Sequence, residues 1–236
     1  MTSEARDVVE GFLDLIYPPK CLVCQTFNPH YICDTCISQI GRVELPYCPR
    51  CGQPMIRKQC RNCWGRVRSF TAARAVGHYG GVLREAIHEF KYGGRRMLAD
   101  LLAEMLHRYL TVRSDFPWRR ADCIIPMPIH HARERIRGYN QSELICRKLT
   151  ELTGLPTLAD AVHRHHTRPQ VELSGDERRK NVHGAFYVPD RSAVNGKVVL
   201  LVDDVATTCS TIHECSLALI DAGARRVYVV CLAFGA

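Results

Sequence analysis

Features that would place this chain in or across a membrane are absent. Its 236 residues contain no apolar run of the roughly 18 residues that a membrane-spanning helix requires. The N-terminal residues carry acids early and have only a short hydrophobic stretch, so they do not fit the pattern of a secretory signal. These absences predict a cytoplasmic protein without a membrane span.

Long apolar runs and aromatic residues are scarce over residues 21–68, which are rich in Pro, Gly and Arg. A segment of this composition cannot build a hydrophobic core of its own, so a bound metal would have to supply most of its folding energy. Its aromatic residues Tyr31, Tyr47 and Trp64 are few and separated. They do not form the interleaved pattern of a base-stacking platform.

Cysteine, in contrast, is abundant, with 13 residues, eight of which form four CxxC pairs separated by 8, 11 and 8 residues. Each cysteine of the first two pairs recurs 27 positions later, which indicates a tandem repeat. In a cytosolic chain this spacing predicts two four-thiolate zinc sites rather than disulfides. The simplest grouping is sequential, although an interleaved grouping and a redox role for the thiols also fit the spacing. The predicted zinc ligands are Cys21, Cys24, Cys33, Cys36, Cys48, Cys51, Cys60 and Cys63.

The formal net charge of +8 overstates the basic character of such a protein. Eight zinc-bound thiolates and two Zn²⁺ ions together would lower that charge to +4. The overall charge is therefore weak evidence for a nucleic-acid partner, and local clusters of cations are more informative.

The most informative stretch is 198–211, with the sequence VVLLVDDVATTCST. It predicts a buried parallel strand that delivers two carboxylates to its C-terminal end, followed by a loop of small and hydroxyl residues and then a helix. Backbone N–H groups and hydroxyls at a helix N-terminus can bind a phosphate, and adjacent acids can bind sugar hydroxyls. An ordinary strand-to-helix turn with two solvated acids is the alternative. The residues concerned are Asp203, Asp204, Ala206, Thr207, Thr208, Cys209, Ser210 and Thr211.

The remaining pattern alternates strands and helices after the cysteine-rich segment. Strands are predicted at 71–79, 122–127, 185–188, 197–203 and 226–232, and helices at 7–16, 82–90, 97–110, 141–153 and 211–222. This order predicts an α/β fold, a mostly parallel sheet flanked by helices, with a small N-terminal zinc ribbon module. We expect a boundary near residue 68, with a short helix and double zinc ribbon in 1–68 and the α/β domain in 69–236.

Cations concentrate in loops that follow the predicted strands and helices, including an arginine-rich loop at 130–140. In an open parallel sheet these loops meet at the ligand-binding edge, where they could hold a pyrophosphate. Ordinary solvated surface charges are the alternative. The candidates for pyrophosphate binding are Lys91, Arg135, Arg137, Arg164 and Arg178.

The stretch 198–211 resembles the signature of type I phosphoribosyltransferases, which bind 5-phosphoribosyl-1-pyrophosphate (PRPP). The resemblance implies that Asp203 and Asp204 hold the ribose hydroxyls, that 206–211 hold the 5′-phosphate, and that Mg²⁺ accompanies PRPP. One position departs from the pattern, because Cys209 stands where the family usually has Gly. Cysteine there either adopts an ordinary φ or costs about 1–2 kcal/mol in a left-handed conformation. A thiol beside a helix N-terminus could also be reactive.

Four further segments resemble the ComF/GntX family: FLDLIYPPKCLVC at 12–24, FKYGG at 90–94, PMPIHHARERIRGYNQSELICRKL at 126–149 and RHHTRPQVELSGDERRKNVHGAF at 164–186. The resemblance implies a phosphoribosyltransferase fold, a double zinc ribbon and a link to DNA uptake in natural competence or to gluconate utilisation. It names no acceptor.

Three hypotheses about function follow. The first is phosphoribosyl transfer from Mg²⁺-PRPP to an unknown acceptor. The second is a non-catalytic module that senses PRPP or a nucleotide and binds single-stranded DNA or a helicase-type protein of the uptake machinery. The third is a redox switch built on the CxxC pairs.

Overall fold

The computed structural model describes residues 20–55, 59–60, 62–113, 115–165 and 183–235. The helix predicted at 7–16 and the candidate Arg178 lie outside these described residues. Within them, none of the helices is both long enough and apolar enough to cross a bilayer.

A four-stranded parallel sheet forms the centre of the fold, with strand order β1-β6-β5-β2. A separate antiparallel pair joins two short strands, β3 and β4. The strands are β1 (Ala72–His78), β2 (Cys123–Pro126), β3 (His163–Arg164), β4 (Phe186–Tyr187), β5 (Val198–Ala206) and β6 (Arg226–Phe234).

Helices connect these strands and cover the sheet. The α-helices are α1 (Asp34–Ser38), α2 (Gly81–Tyr92), α3 (Leu98–Val112), α4 (His131–Arg137), α5 (Gln141–Thr153) and α6 (Ser210–Asp221), and short 3₁₀ turns lie at Trp118–Arg120 and Arg191–Ala193. The predicted α/β class is therefore confirmed, with a mostly parallel sheet between helices.

Alternate side chains of β5 point to opposite faces of the sheet, so this one strand contributes to two hydrophobic cores. Leu200 and Val202 pack into a core with buried residues of α2, α3 and α5, whereas Val199 and Leu201 pack into a second core with buried residues of α6. Successive side chains of a strand point to opposite faces, so a continuous apolar run is what a sheet covered on both sides requires.

The cysteine-rich segment lies against both faces of this sheet and along its edge. Its first cluster belongs to the core of α2, α3 and α5, and its second cluster to the core of α6. From Gly41, between the clusters, to Arg50, in the second cluster, the chain runs beside the edge strand β1: His78 N–H donates to the carbonyl of Gly41 at 2.9 Å, and Ala73 N–H to that of Arg50 at 2.6 Å. The segment thereby covers a strand edge whose backbone groups would otherwise be unpaired.

Two local predictions were wrong. Residues 131–137 form α4 rather than a loop, because the His130 ring accepts a hydrogen bond from Ala132 N–H and Gly138 ends the helix in a left-handed conformation. The strand predicted to end at Asp203 continues to Ala206, because its ladder with β6 persists as far as Phe234. Ala206 therefore lies in the strand, and the loop begins at Thr207.

Candidate functional site

The paired acids lie in the last part of β5, each within a set of specific contacts. Asp204 is only 8% exposed, and Lys91 Nζ of α2 lies 2.6 Å from its Oδ1. The half-buried Asp203 accepts a hydrogen bond from the backbone N–H of Asp204 at 2.8 Å. The structure thus brings Lys91 to Asp204, 113 positions away in the sequence, and close enough to Asp203 for its charge to lower the pKa of that acid.

These surroundings change the pKa of Asp203. Burial and the adjacent charge of Asp204 raise its pKa to about 7, against the opposing effects of Lys91, the Asp204 N–H and Arg164. Arg164 on β3 is close enough for its charge to matter, and burial together with the charge of Arg133 lowers its own pKa. Two neighbouring acids therefore have two cations nearby, and the pKa of Asp203 lies near neutral pH.

The loop after β5 turns sharply at Cys209. Its φ is 57° and its ψ 15°, a left-handed conformation shared only with Gln25 among the described residues other than glycine. Cysteine therefore takes the backbone conformation that glycine adopts without cost. The side chain is 3% exposed, which places the thiol inside the protein rather than at a reactive surface.

Beyond this turn the loop runs into the first turn of α6. Among the described residues, none accepts a hydrogen bond from the backbone N–H of Thr208, Cys209 or Ser210. The hydroxyls of Thr208 and Ser210 lie 2.9 Å apart. Amides and hydroxyls gathered at the start of a 12-residue helix can hold an anion.

The other predicted cations have different surroundings. Arg137 on α4 donates to Gln141 Oε1 at 2.9 Å and to the Tyr92 hydroxyl at 3.1 Å, which fastens α4 to the end of α2. Arg135 on the same helix is exposed, and no partner is found for it within the described part of the chain. At the end of β2, four residues before α4 begins, Met127 N–H donates to the carbonyl of Val202, immediately before Asp203. Both arginines are therefore on the helix that follows the neighbouring strand.

Each group of four sequential cysteines has its sulfur atoms within 4.8 Å of one another. The Sγ atoms of Cys21 and Cys36 lie 3.7 Å apart, as do those of Cys24 and Cys33. Four sulfurs at about 2.3 Å from a tetrahedral zinc ion would be separated by about 3.8 Å. The residues present therefore fit zinc, in the sequential grouping.

Backbone amides support the first of these clusters. Burial raises the pKa of the Cys21 thiol, but hydrogen bonds from backbone N–H groups, led by those of Cys24 and Cys33, outweigh it and lower the pKa to about 6. The Cys33 N–H lies 3.4 Å from Cys21 Sγ. Such N–H groups favour the thiolate, which is the form that binds metal.

Sequence reasoning missed the contacts between the second cluster and the loop. Arg68 Nη2 lies 3.3 Å from the carbonyl of Thr208, and Asn62 Nδ2 lies 3.4 Å from that of Thr207. These partners are 140 and 145 positions apart, and a side chain that binds a distant carbonyl leaves no spacing pattern.

Comparison with known proteins gives consistent similarities. Residues 12–64 match the double zinc ribbon domain. The chain is 33% identical to the competence protein F of Haemophilus influenzae, over 89% of this chain and 94% of that protein. It is 32% identical to the DNA utilization protein YhgH of Escherichia coli O157:H7, over 92% and 98%. Its identity to the competence protein ComFC of Bacillus subtilis is 23%, over 81% and 79%.

Several solved structures also align with part of the chain. A glutamine phosphoribosylpyrophosphate amidotransferase from B. subtilis aligns over 61% of this chain and 30% of its own, with 21% identity and a TM-score of 0.41. The allosteric regulatory enzyme of purine biosynthesis gives 22% identity and a TM-score of 0.40 over 61% and 29%. The chain thus spans less than a third of either protein.

Proposed function

Because the chain belongs to the ComF family of competence proteins, we propose that the end of β5 binds PRPP, and that the protein serves DNA uptake as a phosphoribosyltransferase. The observation that carries this proposal is the juxtaposition of two acids, their cations and a loop of unbonded amides within one strand-to-helix connection.

The acids suit the ribose of PRPP. Carboxylates accept hydrogen bonds from two neighbouring hydroxyls, and Asp203 and Asp204 follow each other at the carboxyl end of a parallel strand, where such sheets bind ligands. Lys91 balances the charge of Asp204 at 2.6 Å. A sugar could therefore bind without leaving a buried carboxylate unpaired.

The loop 207–211 suits the 5′-phosphate. Three amides that have no acceptor among the described residues are available to it, together with the hydroxyls of Thr208 and Ser210. The N-terminus of α6 adds the positive end of a helix dipole. The left-handed turn at Cys209 provides the close backbone approach for which glycine is usual.

We assign the pyrophosphate to the cations around the acids: Lys91, Arg164, and Arg135 and Arg137 of α4, with Arg178 as a further candidate outside the described residues. Carboxylate and phosphate oxygens are the ligands that Mg²⁺ prefers, so Asp203 and Asp204 fit a bound Mg²⁺-PRPP. When bound, Mg²⁺ would supply positive charge to the leaving pyrophosphate.

In the proposed reaction a nucleophile of the acceptor forms a bond to C1 of the ribose. The bond from C1 to the pyrophosphate oxygen breaks, the electron pair leaves with pyrophosphate, and the acceptor loses its proton. The protein contributes by positioning and by electrostatic stabilisation of the leaving group. No nucleophilic side chain is required.

The relatives named for competence and for DNA utilization support a role in DNA uptake. We further propose that residues 1–68 form the zinc-dependent module and 69–236 the phosphoribosyltransferase domain. Eight cysteines arranged for two zinc ions favour a reducing compartment, so we propose a cytoplasmic location.

Calorimetric titration of the zinc-loaded protein with PRPP and Mg²⁺ tests the proposal. We expect saturable binding by the wild type and its loss in Asp203→Asn/Asp204→Asn. An exposed-acid variant, Asp160→Asn, is the matched control and should bind like the wild type. If the wild type does not bind, or if the double variant binds equally well, PRPP is not the ligand of these acids.

A second candidate function is a non-catalytic sensor with a partner-binding surface. It is favoured by α4, where Arg135 is exposed and Ile136 is 82% exposed, close to Tyr92, which is 63% exposed. Single-stranded DNA or a helicase-type protein of uptake would bind there. PRPP binding without pyrophosphate release for any acceptor tested would favour this function, as would DNA binding that weakens with salt and in Arg135→Ala.

A further inference from the structure

The second cysteine cluster and the residues just after it lie directly behind the loop 207–211. Arg68 and Asn62 bind the carbonyls of Thr208 and Thr207 at 3.3 and 3.4 Å. The same Arg68 nitrogen also donates to the backbone carbonyl of Asn62, so the Arg68 side chain is held against the backbone at Asn62.

Two more contacts extend this interface to both sides of the turn. Cys51 and Cys209 are both buried in the core that contains α6, and Cys209 is close enough to Cys51 to raise the pKa of that thiol. Ser69 N–H donates to His213 Nδ1 at 3.1 Å, on the first turn of α6. Residues 207–213 are therefore contacted repeatedly by one short part of the chain.

Because of peptide geometry, the hydrogen bonds to the loop carbonyls also set the direction of the loop N–H groups that could bind an anion. In a trans peptide the carbonyl of one residue and the N–H of the next point in opposite directions. The single cis bond of the described residues is Leu45–Pro46, so the loop peptides are trans. Because the carbonyls of Thr207 and Thr208 face the ribbon, the N–H groups of Thr208 and Cys209 face away from it. The ribbon thus turns these amides outward.

The first cysteine cluster does not lie beside the loop 207–211. Its buried members Cys21, Cys33 and Cys36 pack with α2, α3 and α5, whereas Cys209 and α6 belong to the core on the opposite face. The two repeats are alike in sequence but face different sides of the sheet. Only the second can act directly on the loop.

We propose that the second four-cysteine cluster, when it holds zinc, keeps the loop 207–211 in its anion-binding conformation, and that loss of zinc there releases the loop. The identity of the anion as the 5′-phosphate of PRPP rests on the proposed function. The control of loop conformation rests on the contacts alone.

Matched variants separate the two clusters. Cys63→Ser and Cys24→Ser each remove the most exposed ligand of one cluster. Zinc content by elemental analysis establishes which site each variant loses. Hydrogen exchange of peptides covering 207–216 reports the loop, because His213 N–H donates to the carbonyl of Cys209 at 2.9 Å and is protected only while the turn persists.

We expect Cys63→Ser to speed exchange at His213 by about tenfold or more, because the loop would lose its hydrogen bonds from the charged Arg68 and from Asn62. Its affinity for PRPP should fall by a similar factor. Cys24→Ser should leave both unchanged. Arg68→Ala, which retains all eight cysteines, should keep two zinc ions and still speed the exchange.

Equal exchange in Cys63→Ser and Cys24→Ser overturns the inference. If Cys63→Ser does not fold, unchanged exchange in Arg68→Ala overturns it instead. Failure of the wild type to bind PRPP would refute the proposed ligand, whereas the exchange comparison would still test the control of the loop by the ribbon.

Discussion

Asp203 should make the stability of this protein depend on pH in a way that one substitution removes. Its pKa rises from 3.8 to about 7 because it is buried beside Asp204. A carboxyl whose pKa is raised on folding stabilises the protein below the unfolded-state pKa, and this contribution disappears as pH rises through the folded-state value. The relevant window is therefore between about pH 4 and pH 7, with the last part of the loss completed by about pH 8.

The size of the effect follows from the two pKa values. Between pH 6 and pH 8 the wild type should lose about 1.4 kcal/mol of unfolding free energy through this one group. Asp203→Asn cannot ionise and should not show that loss. For a chain of this length the difference corresponds to about 3–5 °C in melting temperature.

Urea unfolding of zinc-loaded wild type and Asp203→Asn at pH 6 and pH 8 measures this difference directly. Asp160→Asn provides the control, because it removes an exposed acid from a turn far along the chain from β5. We expect the control to follow the wild type and Asp203→Asn to gain relative stability at pH 8. Parallel pH dependence in all three proteins would refute the reasoning that burial and Asp204 raise this pKa.

Two further predictions concern the ribbon and the turn. Cys209→Gly should be more stable than Cys209→Ala by about 1 kcal/mol, because both lack the thiol and only alanine keeps a Cβ at φ 57°. Thermal melting of the two variants measures this backbone cost. Equal stability would show that the conformation is unstrained. Arg74→Ala should destabilise the protein by about 1–3 kcal/mol, because the buried guanidinium donates twice to the partly exposed Asp115 and once to the carbonyl of Pro49 in the ribbon. Urea unfolding beside the exposed Arg84→Ala tests this, and an equal effect of both would contradict it.

Much of the fold was accessible from sequence because its strands are short buried runs and its helices have clear ends. The helix predicted at 141–153 has those bounds, since Asn140 caps its start and Gly154 ends it in a left-handed conformation. The four CxxC pairs were equally accessible, because a CxxC turn fixes two sulfurs locally, whereas the structure was needed to select the sequential grouping over an interleaved one. These features depend on neighbours in the chain.

What the sequence could not provide depends on residues far apart in it. The contact between Lys91 and Asp204 joins the end of one helix to a strand 113 positions later. The α4 helix was missed because a side-chain cap by histidine is not a usual start signal, and α4 buries no residue that would create a periodic pattern. Composition likewise could not show which face of the sheet each zinc repeat would cover.

The conformation of Cys209 depends both on its neighbours in the chain and on residues far away in the sequence. The sequence marked it as a departure from glycine, but its conformation follows from its surroundings. A left-handed cysteine costs about 1–2 kcal/mol, and burying a small apolar side chain returns about 1 kcal/mol. Here that burial occurs against Cys51, so the second zinc repeat offsets the cost of the turn it supports. Glycine at this position would take the turn unaided, and cysteine makes the loop depend on the ribbon behind it.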